Sequence, residues 1–231
     1  MVVVHCFFWP IVECEFRKQL LCLGAAMVWQ DIYGWSDDIV RFYKQIVDRY
    51  QSGDIFVELG CWLGRSTCAL AQFINDSGKD ITFFAIDHGI GSDEEIHRKL
   101  IRRYDDVIAV PLVYNIVKCG VRHRVNFIMA DAIKISKFFQ DNSLAFVFLD
   151  DAHTSEHIQQ EIDIWRPKIR DGGIIAGHDY YSDNIPGWVR GAVNHKFQCR
   201  DEALALHDGL YNSCWAFVRQ SDRWIPYSQL V

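Results

Sequence analysis

The chain has 231 residues, of which 50% are hydrophobic and 23% charged, a balance typical of one compact globular domain. The 24 Lys and Arg against 30 Asp and Glu give a formal net charge of -6, which argues against nucleic acid as a partner. The eight cysteines include no C-x-x-C pair, which excludes the usual zinc-knuckle and redox motifs and favours a reduced, cytoplasmic setting.

The first 35 residues hold two apolar stretches, over residues 2–12 and 20–29, with charged residues between them. Neither reaches the roughly 20 residues that span a bilayer, so we expect no membrane association. The charges interrupt the apolar run instead of preceding it, which argues against a signal peptide. We interpret residues 1–35 as an arm or helix that packs on the domain or on a second subunit of a homo-oligomer, and residues 36–231 as one domain.

Short apolar runs alternate with helical patterns through the rest of the chain. The runs have the length of buried parallel strands and cover residues 55–59, 81–86, 125–129, 144–149 and 173–176. The patterns between them predict helices over residues 38–50, 66–74, 93–104, 112–119 and 154–169. Pro111 should separate the third helix from the fourth, and Gly120 should end the fourth. This alternation predicts an α/β, Rossmann-like, doubly wound fold.

The end of the chain departs from this alternation. Residues 203–207 and 214–219 flank Asp208-Gly209, and the loop between them is too short for a crossover helix. We therefore predict an antiparallel hairpin there. Together with the five earlier strands it would give a mostly parallel seven-stranded sheet with an antiparallel last strand.

A glycine-containing loop follows the first predicted strand. Gly60 permits a sharp turn with positive φ, Gly64 lets a ligand approach the main chain, and Ser66 can cap the next helix. Trp62, inside the loop, could stack on a ligand. The loop lacks both the G-x-G-x-x-G spacing of dinucleotide sites and the Gly-Lys-Ser/Thr of a phosphate loop, so NAD and ATP are disfavoured.

Acidic residues stand at the ends of three consecutive strands. Glu58 would attract a ligand that carries an ammonium or sulfonium charge. Asp87 is placed to accept the hydroxyls of a ribose, and Asp131 to accept a hydrogen bond from an adenine amino group. An acid at a strand end is often only a helix cap, but three in succession favour a ligand site.

The pattern Glu58-x-Gly60-x-x-x-Gly64-x-Ser66, with Asp87 and the terminal hairpin, resembles the class I S-adenosylmethionine-dependent methyltransferases over roughly residues 35–219. The resemblance implies that the domain binds S-adenosylmethionine and transfers its methyl group. The residues expected to hold this cofactor are Glu58, Gly60, Trp62, Gly64, Ser66, Asp87, Asp131, Ala132 and Asp150.

A second constellation follows the fourth and fifth predicted strands, with Asp150 and His153 after one and His178 and Asp179 after the other. Here the chain is similar to the metal-dependent O-methyltransferases of the catechol and caffeoyl-coenzyme A type. By that resemblance Asp150, His178 and Asp179 are metal ligands, with His178 in place of an oxygen ligand. His153 replaces the catalytic lysine of that family.

Both exchanges are chemically workable. An imidazole can remove the hydroxyl proton during methyl transfer, so His153 is the expected general base. The expected metal is divalent, Mg²⁺ or Mn²⁺, although an Asp/His/Asp set would also accept iron or zinc. Alternatively, His153 bonds a main-chain carbonyl, and His178 and Asp179 only order the following loop. Asp151 is interpreted as an acid at a helix start, favoured by the helix dipole.

The resemblance therefore implies methyl transfer to a hydroxyl oxygen of a small molecule, such as a sugar or phenol. Residues 181–188 follow the site directly and could form a lid or an acceptor wall. Two alternatives stay open: a binding or assembly protein that retains the cofactor pocket without catalysis, and a metal-dependent hydroxylase or hydrolase on the same scaffold.

Overall fold

A computed structural model describes residues 27–34, 36–91, 98, 102–104, 107–151, 153–181, 188–200, 203–204 and 213–230. Most of the predicted arm over residues 1–35 lies outside the described residues. So do most of the predicted helix over residues 93–104 and most of the segment 181–188 that we interpreted as a lid.

The described residues form a seven-stranded sheet. Its strands are β1 (Ile55–Leu59), β2 (Thr82–Asp87), β3 (Asn126–Met129), β4 (Leu144–Leu149), β5 (Ile169–Gly177), β6 (Trp215–Gln220) and β7 (Arg223–Pro226). The order across the sheet is β3-β2-β1-β4-β5-β6-β7. Pairing is parallel from β3 to β5, whereas β6 is antiparallel to both of its neighbours. The mostly parallel Rossmann-like sheet is confirmed, with the reversed strand last but one.

Most of the predicted terminal hairpin, residues 205–212, lies outside the described residues, and a second hairpin follows it. The observed hairpin joins β6 to β7 through the two-residue turn Ser221-Asp222, in which Ser221 has a φ of 55°. A two-residue turn closes a shorter loop than the one that we assigned around residues 208–209, which lie outside the described part of the chain. Leu204 makes only an isolated bridge to Trp215.

Six α-helices cover the sheet in the described residues. They are α1 (Asp37–Arg49), α2 (Arg65–Ser77), α3 (Ala109–Lys118), α4 (Ala132–Ile135), α5 (Ser155–Trp165) and α6 (Trp188–Phe197). None of the helices found there is both long and apolar enough to cross a membrane.

Two prolines explain where the helix predictions differ from the structure. Pro111 does not precede α3 but lies in its first turn, where a missing N–H costs nothing. Pro167 follows the end of α5, and the chain enters β5 at Ile169. The fifth strand is therefore longer than predicted and its preceding helix shorter. Gly120, with a φ of 72°, follows the end of α3 as expected.

The sheet separates two apolar cores, one on each face. On one face Phe42 and Tyr43 of α1 pack edge-on against Phe146 and Phe148 of β4. On the other, Trp165 of α5 is fully buried, as its helical spacing predicts. Because side chains alternate along a strand, those of β1 contribute to both cores.

The carboxyl ends of the central strands are aligned by hydrogen bonds that extend the sheet ladder. The Gly60 N–H donates to the Ile86 carbonyl at 2.9 Å, and the Asp150 N–H to the Leu59 carbonyl at 2.8 Å. The His178 N–H donates in the same way to the strand beside it. The chain winds outward in both directions from β1 and β4, which makes this edge the switch point where ligands bind in such sheets.

Candidate active site

The glycine loop turns sharply against the end of β4. Gly60 has a φ of 81°, and a Cβ added to it would lie 2.2 Å from the Asp150 carbonyl oxygen. Helix α2 begins at Arg65 with Gly64 as its N-cap, at a φ of 88°. Ser66 lies inside the first turn, so the expectation that it caps the helix was wrong. A left-handed glycine occupies the cap, and the serine side chain turns inward instead.

Asp87 fastens this loop to the end of β2. One carboxylate oxygen accepts the N–H groups of Cys61 and Trp62 at 2.8 and 3.1 Å, and the other accepts the Gly89 N–H at 2.7 Å. Asp87 is 8% exposed. A carboxylate has about four lone-pair directions, so one remains for a ligand hydroxyl. Asp87 therefore positions the loop.

Glu58 lies behind the loop, 1% exposed. Its carboxylate accepts hydrogen bonds from the Tyr43 hydroxyl at 2.9 Å and from the Thr67 hydroxyl. Burial raises the pKa of Glu58, and the hydrogen bonds from surrounding hydroxyl groups, including that of Ser66, oppose the rise. Glu58 faces α1 and α2. Its carboxylate would therefore act on a ligand at the glycine loop through its electric field and not by direct contact.

The third acid of the predicted set, Asp131, follows β3, whose last residue, Met129, pairs with Asp87. Asp131 caps α4 by accepting the Lys134 N–H at 2.9 Å. Its side chain is 47% exposed and lies 3.7 Å from the Lys134 ammonium. Ala132, the next residue, is buried. A helix cap accounts for the Asp131 contacts among the described residues.

The second constellation converges as predicted. The His178 Nδ1 lies 3.4 Å from Asp179 Oδ1 and 3.8 Å from Asp150 Oδ1. The His153 Nε2 lies 3.0 Å from Asp179 Oδ2. Asp179 thus contacts both histidines, one with each oxygen. Its φ of 58° is unusual for a residue other than glycine.

Asp38, at the start of α1, completes this group. Its carboxylate lies 3.1 Å from the His178 Nε2 and accepts the N–H groups of Ser213 and Ile39 at 3.0 Å each. The contact with His178 joins residues 140 apart in the chain. His178 therefore directs one ring nitrogen at Asp38 and the other at Asp150 and Asp179.

The charges in this group depend on one another. Burial opposes the charge on His178, but hydrogen bonds to Asp179 and Asp38 outweigh it and raise the pKa of His178 well above its ordinary value. Burial likewise opposes ionisation of Asp179, yet hydrogen bonds to His153 and His178 hold its pKa well below the usual range. Burial raises the pKa of Asp150 to about 8 against the opposing charge of His178.

A small cavity opens among these side chains. Its volume is about 10 Å³, the space of about one water molecule. The polar part of its wall is Asp150, His153, His178 and Asp179, and the apolar part is Leu149, Ile158, Val189 and Trp215. The arrangement brings two carboxylates and two imidazoles together at the edge where the glycine loop turns.

Sequence reasoning missed Asp38 and Tyr43. Asp38 belongs to an Asp37-Asp38 pair at a helix start, which is the ordinary position of a helix-capping acid. Tyr43 lies on the apolar face of α1. No sequence signal connects either residue with a partner so distant in the chain.

A family model described as a methyltransferase domain matches residues 57–180 of this chain. The match spans more than half of the chain. It includes every residue that the sequence predicted for the cofactor and for the metal ion, from Glu58 to Asp179.

Solved structures with a similar fold include the O-methyltransferase NovP, with a TM-score of 0.56 and 18% identity over 79% of this chain and 80% of that one. CalS11, a TDP-rhamnose 3'-O-methyltransferase of calicheamicin biosynthesis, has a TM-score of 0.50 and 15% identity over 95% and 97%. A protein from Clostridium thermocellum, provisionally assigned as an rRNA methylase, has a TM-score of 0.56 and 14% identity over 82% and 99%. At these identities the likeness shows a shared fold.

Proposed function

The chain belongs to the family of methyltransferase domains, and from this membership we propose that it transfers the methyl group of S-adenosylmethionine to a hydroxyl oxygen of a small molecule. A sugar or a phenol is the proposed acceptor, and a divalent metal ion assists. NovP and CalS11, which share the fold, are O-methyltransferases, and this supports oxygen as the receiving atom.

One observation carries the proposal. Asp150, His153, His178 and Asp179 converge on one cavity at the carboxyl ends of β4 and β5. The main chain of Asp150 is also the wall against which Gly60 packs. A methyl donor held by the glycine loop and an acceptor held at the cavity would therefore meet at Asp150.

The cofactor residues fit a positively charged donor without phosphates. Carboxylates dominate this edge, with Glu58 behind the loop, Asp87 beneath it and Asp150 beside it. The Asp87 carboxylate favours a sulfonium, whereas it repels a polyphosphate. We propose that the cofactor is held by Glu58, Gly60, Trp62, Gly64, Ser66, Asp87, Asp131, Ala132 and Asp150.

The proposed metal ligands are Asp150, His178 and Asp179, whose ligand atoms lie within 4.8 Å of one another. A ligating histidine commonly donates its second N–H to a carboxylate, which fixes the ring. Asp38 is placed to accept that N–H from the Nε2 of His178, so that Nδ1 faces the other two ligands. When bound, the ion lowers the pKa of the acceptor hydroxyl and fixes its direction.

His153 is the proposed general base. Its Nε2 faces the Asp179 carboxylate, so the other ring nitrogen would receive the proton from the acceptor hydroxyl. Asp179 would hold the ring in place and stabilise the imidazolium that forms, as a carboxylate does beside a catalytic histidine. The apolar side chains of the cavity wall limit the access of water to this proton.

Incubation with methyl-labelled S-adenosylmethionine, Mn²⁺ and a library of sugars, sugar nucleotides and phenols tests the proposal by mass spectrometry. Transfer of label to an acceptor hydroxyl is the expected result. His153→Phe and Asp179→Asn should each lower the rate by at least about 100-fold. Asp163→Asn, an exposed carboxylate paired with Lys196 at 2.5 Å, is the matched control and should keep the full rate.

Three outcomes would contradict the proposal. Cofactor binding without transfer to any acceptor would favour a binding protein, and metal-dependent turnover without S-adenosylmethionine would favour a hydroxylase or hydrolase. Full transfer by Asp179→Asn in the presence of a chelator would remove the metal from the mechanism.

A further inference from the structure

A second group of ionisable side chains lies on α5, outside the site described above. Glu161 is completely buried, yet neither of its carboxylate oxygens receives a hydrogen bond from any group in the described part of the chain. A buried carboxylate without hydrogen-bond donors is costly, so a buried Glu161 requires a ligand or a proton in its immediate surroundings.

Two further ligand atoms point at the same place. The His157 Nε2, one turn earlier on α5, lies 3.8 Å from Glu161 Oε1 and 3.6 Å from Asp151 Oδ1. Like Glu161, both of these atoms are buried without a hydrogen-bond partner among the described residues. The spacing of four residues puts His157 and Glu161 on one face of the helix. We call Asp151, His157 and Glu161 the α5 cluster.

The distances in the α5 cluster are those of ligands around an ion. The two distances from the His157 Nε2 exceed hydrogen-bond length, and all three ligand atoms lie within 4.8 Å of one another. Bonds of about 2.0–2.2 Å to a tetrahedral ion separate its ligands by about 3.3–3.6 Å. The observed 3.6 and 3.8 Å need only a small contraction to match that geometry.

The α5 cluster shares no side chain with the proposed catalytic metal site. Asp150 contacts His178, whereas Asp151 contacts His157. The main-chain N–H of His157 also meets the Thr154 hydroxyl oxygen at 3.4 Å, which holds the histidine at the start of the helix. An ion in the cluster would tie the residue that follows Asp150 to α5 and so fix the end of β4.

We propose that Asp151, His157 and Glu161 bind a divalent transition-metal ion, such as Mn²⁺ or Zn²⁺, in a structural site separate from Asp150, His178 and Asp179. One imidazole and two carboxylates suit these ions, whereas Mg²⁺ and Ca²⁺ prefer oxygen alone. The site goes beyond the proposed methyl transfer, and its existence does not depend on that reaction.

Equilibrium dialysis against Mn²⁺, with bound ion counted by EPR, tests the site. Mn²⁺ is the probe because thiolates, which select softer ions, compete weakly for it. The wild-type chain is expected to bind one more equivalent of Mn²⁺ than Glu161→Gln does at the same free concentration. The affinity of the α5 cluster for Mn²⁺ should be at least about tenfold lower in the variant. Glu156→Gln makes the same change at an exposed position of the same helix and should bind as the wild type does.

Two further variants distinguish loss of Mn²⁺ from the α5 cluster from misfolding and from loss of the proposed catalytic site. His157→Ala changes a side chain that is 34% exposed and should lose the same equivalent if Glu161→Gln fails to fold. Asp179→Ala should lose only the other equivalent and should still be stabilised against heat by Mn²⁺. Equal Mn²⁺ binding by the wild type, Glu161→Gln and His157→Ala would overturn the proposal and leave a proton shared between two carboxyl groups.

Discussion

Gly60 connects the glycine loop to the end of β4 through main-chain contact alone. Its left-handed φ of 81° is one constraint, and the 2.2 Å that would separate an added Cβ from the Asp150 carbonyl oxygen is another. Sequence reasoning identified the first constraint, because a tight turn after a strand favours positive φ. The second constraint, the close approach of the Asp150 carbonyl, depends on which strand lies beside the glycine loop.

Gly60→Ala is expected to lower the free energy of unfolding by about 3 kcal/mol or more, because backbone strain and a main-chain clash add. Gly53→Ala separates the two effects, since Gly53 has a φ of 92° and a Cβ added there would have nothing within 4 Å. That control should cost only about 1–2 kcal/mol. Urea unfolding of both variants measures the difference, and equal losses would show that Gly60 has room for a side chain.

Asp38 is placed to orient His178 without contacting a ligand itself. Asp38→Asn removes the charge beside Nε2 and should weaken Mn²⁺ binding at the proposed catalytic site about tenfold to 100-fold. The titration is made in the Glu161→Gln background so that the α5 cluster does not contribute. Asp37→Asn, a neighbouring carboxylate with 86% exposure, is the control. Unchanged affinity in Asp38→Asn would mean that His178 needs no carboxylate to hold its ring.

Helix α1 supplies contacts to both parts of the site. Asp38 reaches β5 through His178, and Tyr43, on the same helix, donates to Glu58 of β1 at 2.9 Å. The aromatic packing of α1 on β4 fixes its position over the sheet. The helical pattern of residues 38–50 predicted this helix, but a helix pattern does not indicate which strand it covers.

Tyr43→Phe should lower the free energy of unfolding by about 1–3 kcal/mol, because a buried carboxylate loses a donor. Tyr50→Phe, at the C-cap of α1, removes the hydrogen bond of 2.9 Å from the Tyr50 hydroxyl to the Gly172 carbonyl. Because that carbonyl is neutral, this change should lower the free energy of unfolding by only about 1 kcal/mol. Urea unfolding measures both variants.

Tyr43→Phe also tests the ionisation of Glu58. The pKa of Glu58 is raised in the folded state, so ionisation of this side chain opposes folding as the pH rises above 4.5. The Tyr43 hydroxyl stabilises the ionised form, and the stability deficit of Tyr43→Phe should therefore grow from pH 4 toward neutrality. A deficit that is independent of pH would show that Tyr43 acts through packing alone.

The β6–β7 hairpin shows where local sequence signals were insufficient. Asp-Gly is a strong turn signal, and it drew the predicted hairpin to residues 203–219. The residues of that turn lie outside the described part of the chain. The sheet has a further hairpin at Ser221-Asp222, a weaker signal that sequence reasoning missed, where Phe217 and Val218 pair with β5 on one side and with β7 on the other.

At the level of the whole molecule, binding of the cofactor should appear as added stability. S-adenosylhomocysteine at about 100 times its Kd stabilises the folded state by about 2.7 kcal/mol, which for a chain of this size raises Tm by about 5–10 °C. NAD and ATP at the same concentration are the controls and should leave Tm unchanged. A shift with ATP and none with S-adenosylhomocysteine would contradict the cofactor assignment.

The fold class followed from the sequence because buried parallel strands and amphipathic helices leave separate local patterns. The glycine loop, Asp87 and the pair His178-Asp179 could also be predicted, since each stands at the end of a recognisable strand. Their grouping at one edge follows from parallel pairing, which aligns all carboxyl ends.

What the sequence could not give was the partner of each side chain. Glu58 faces two helices because alternation along β1 turns it to that face, and Asp131 caps the short helix α4. Asp38 meets His178 across 140 residues, and Glu161 meets Asp151 through the fold of the β4–α5 connection. Sequence patterns encode the period and direction of an element, whereas contacts between elements depend on strand order and packing, which only the tertiary structure decides.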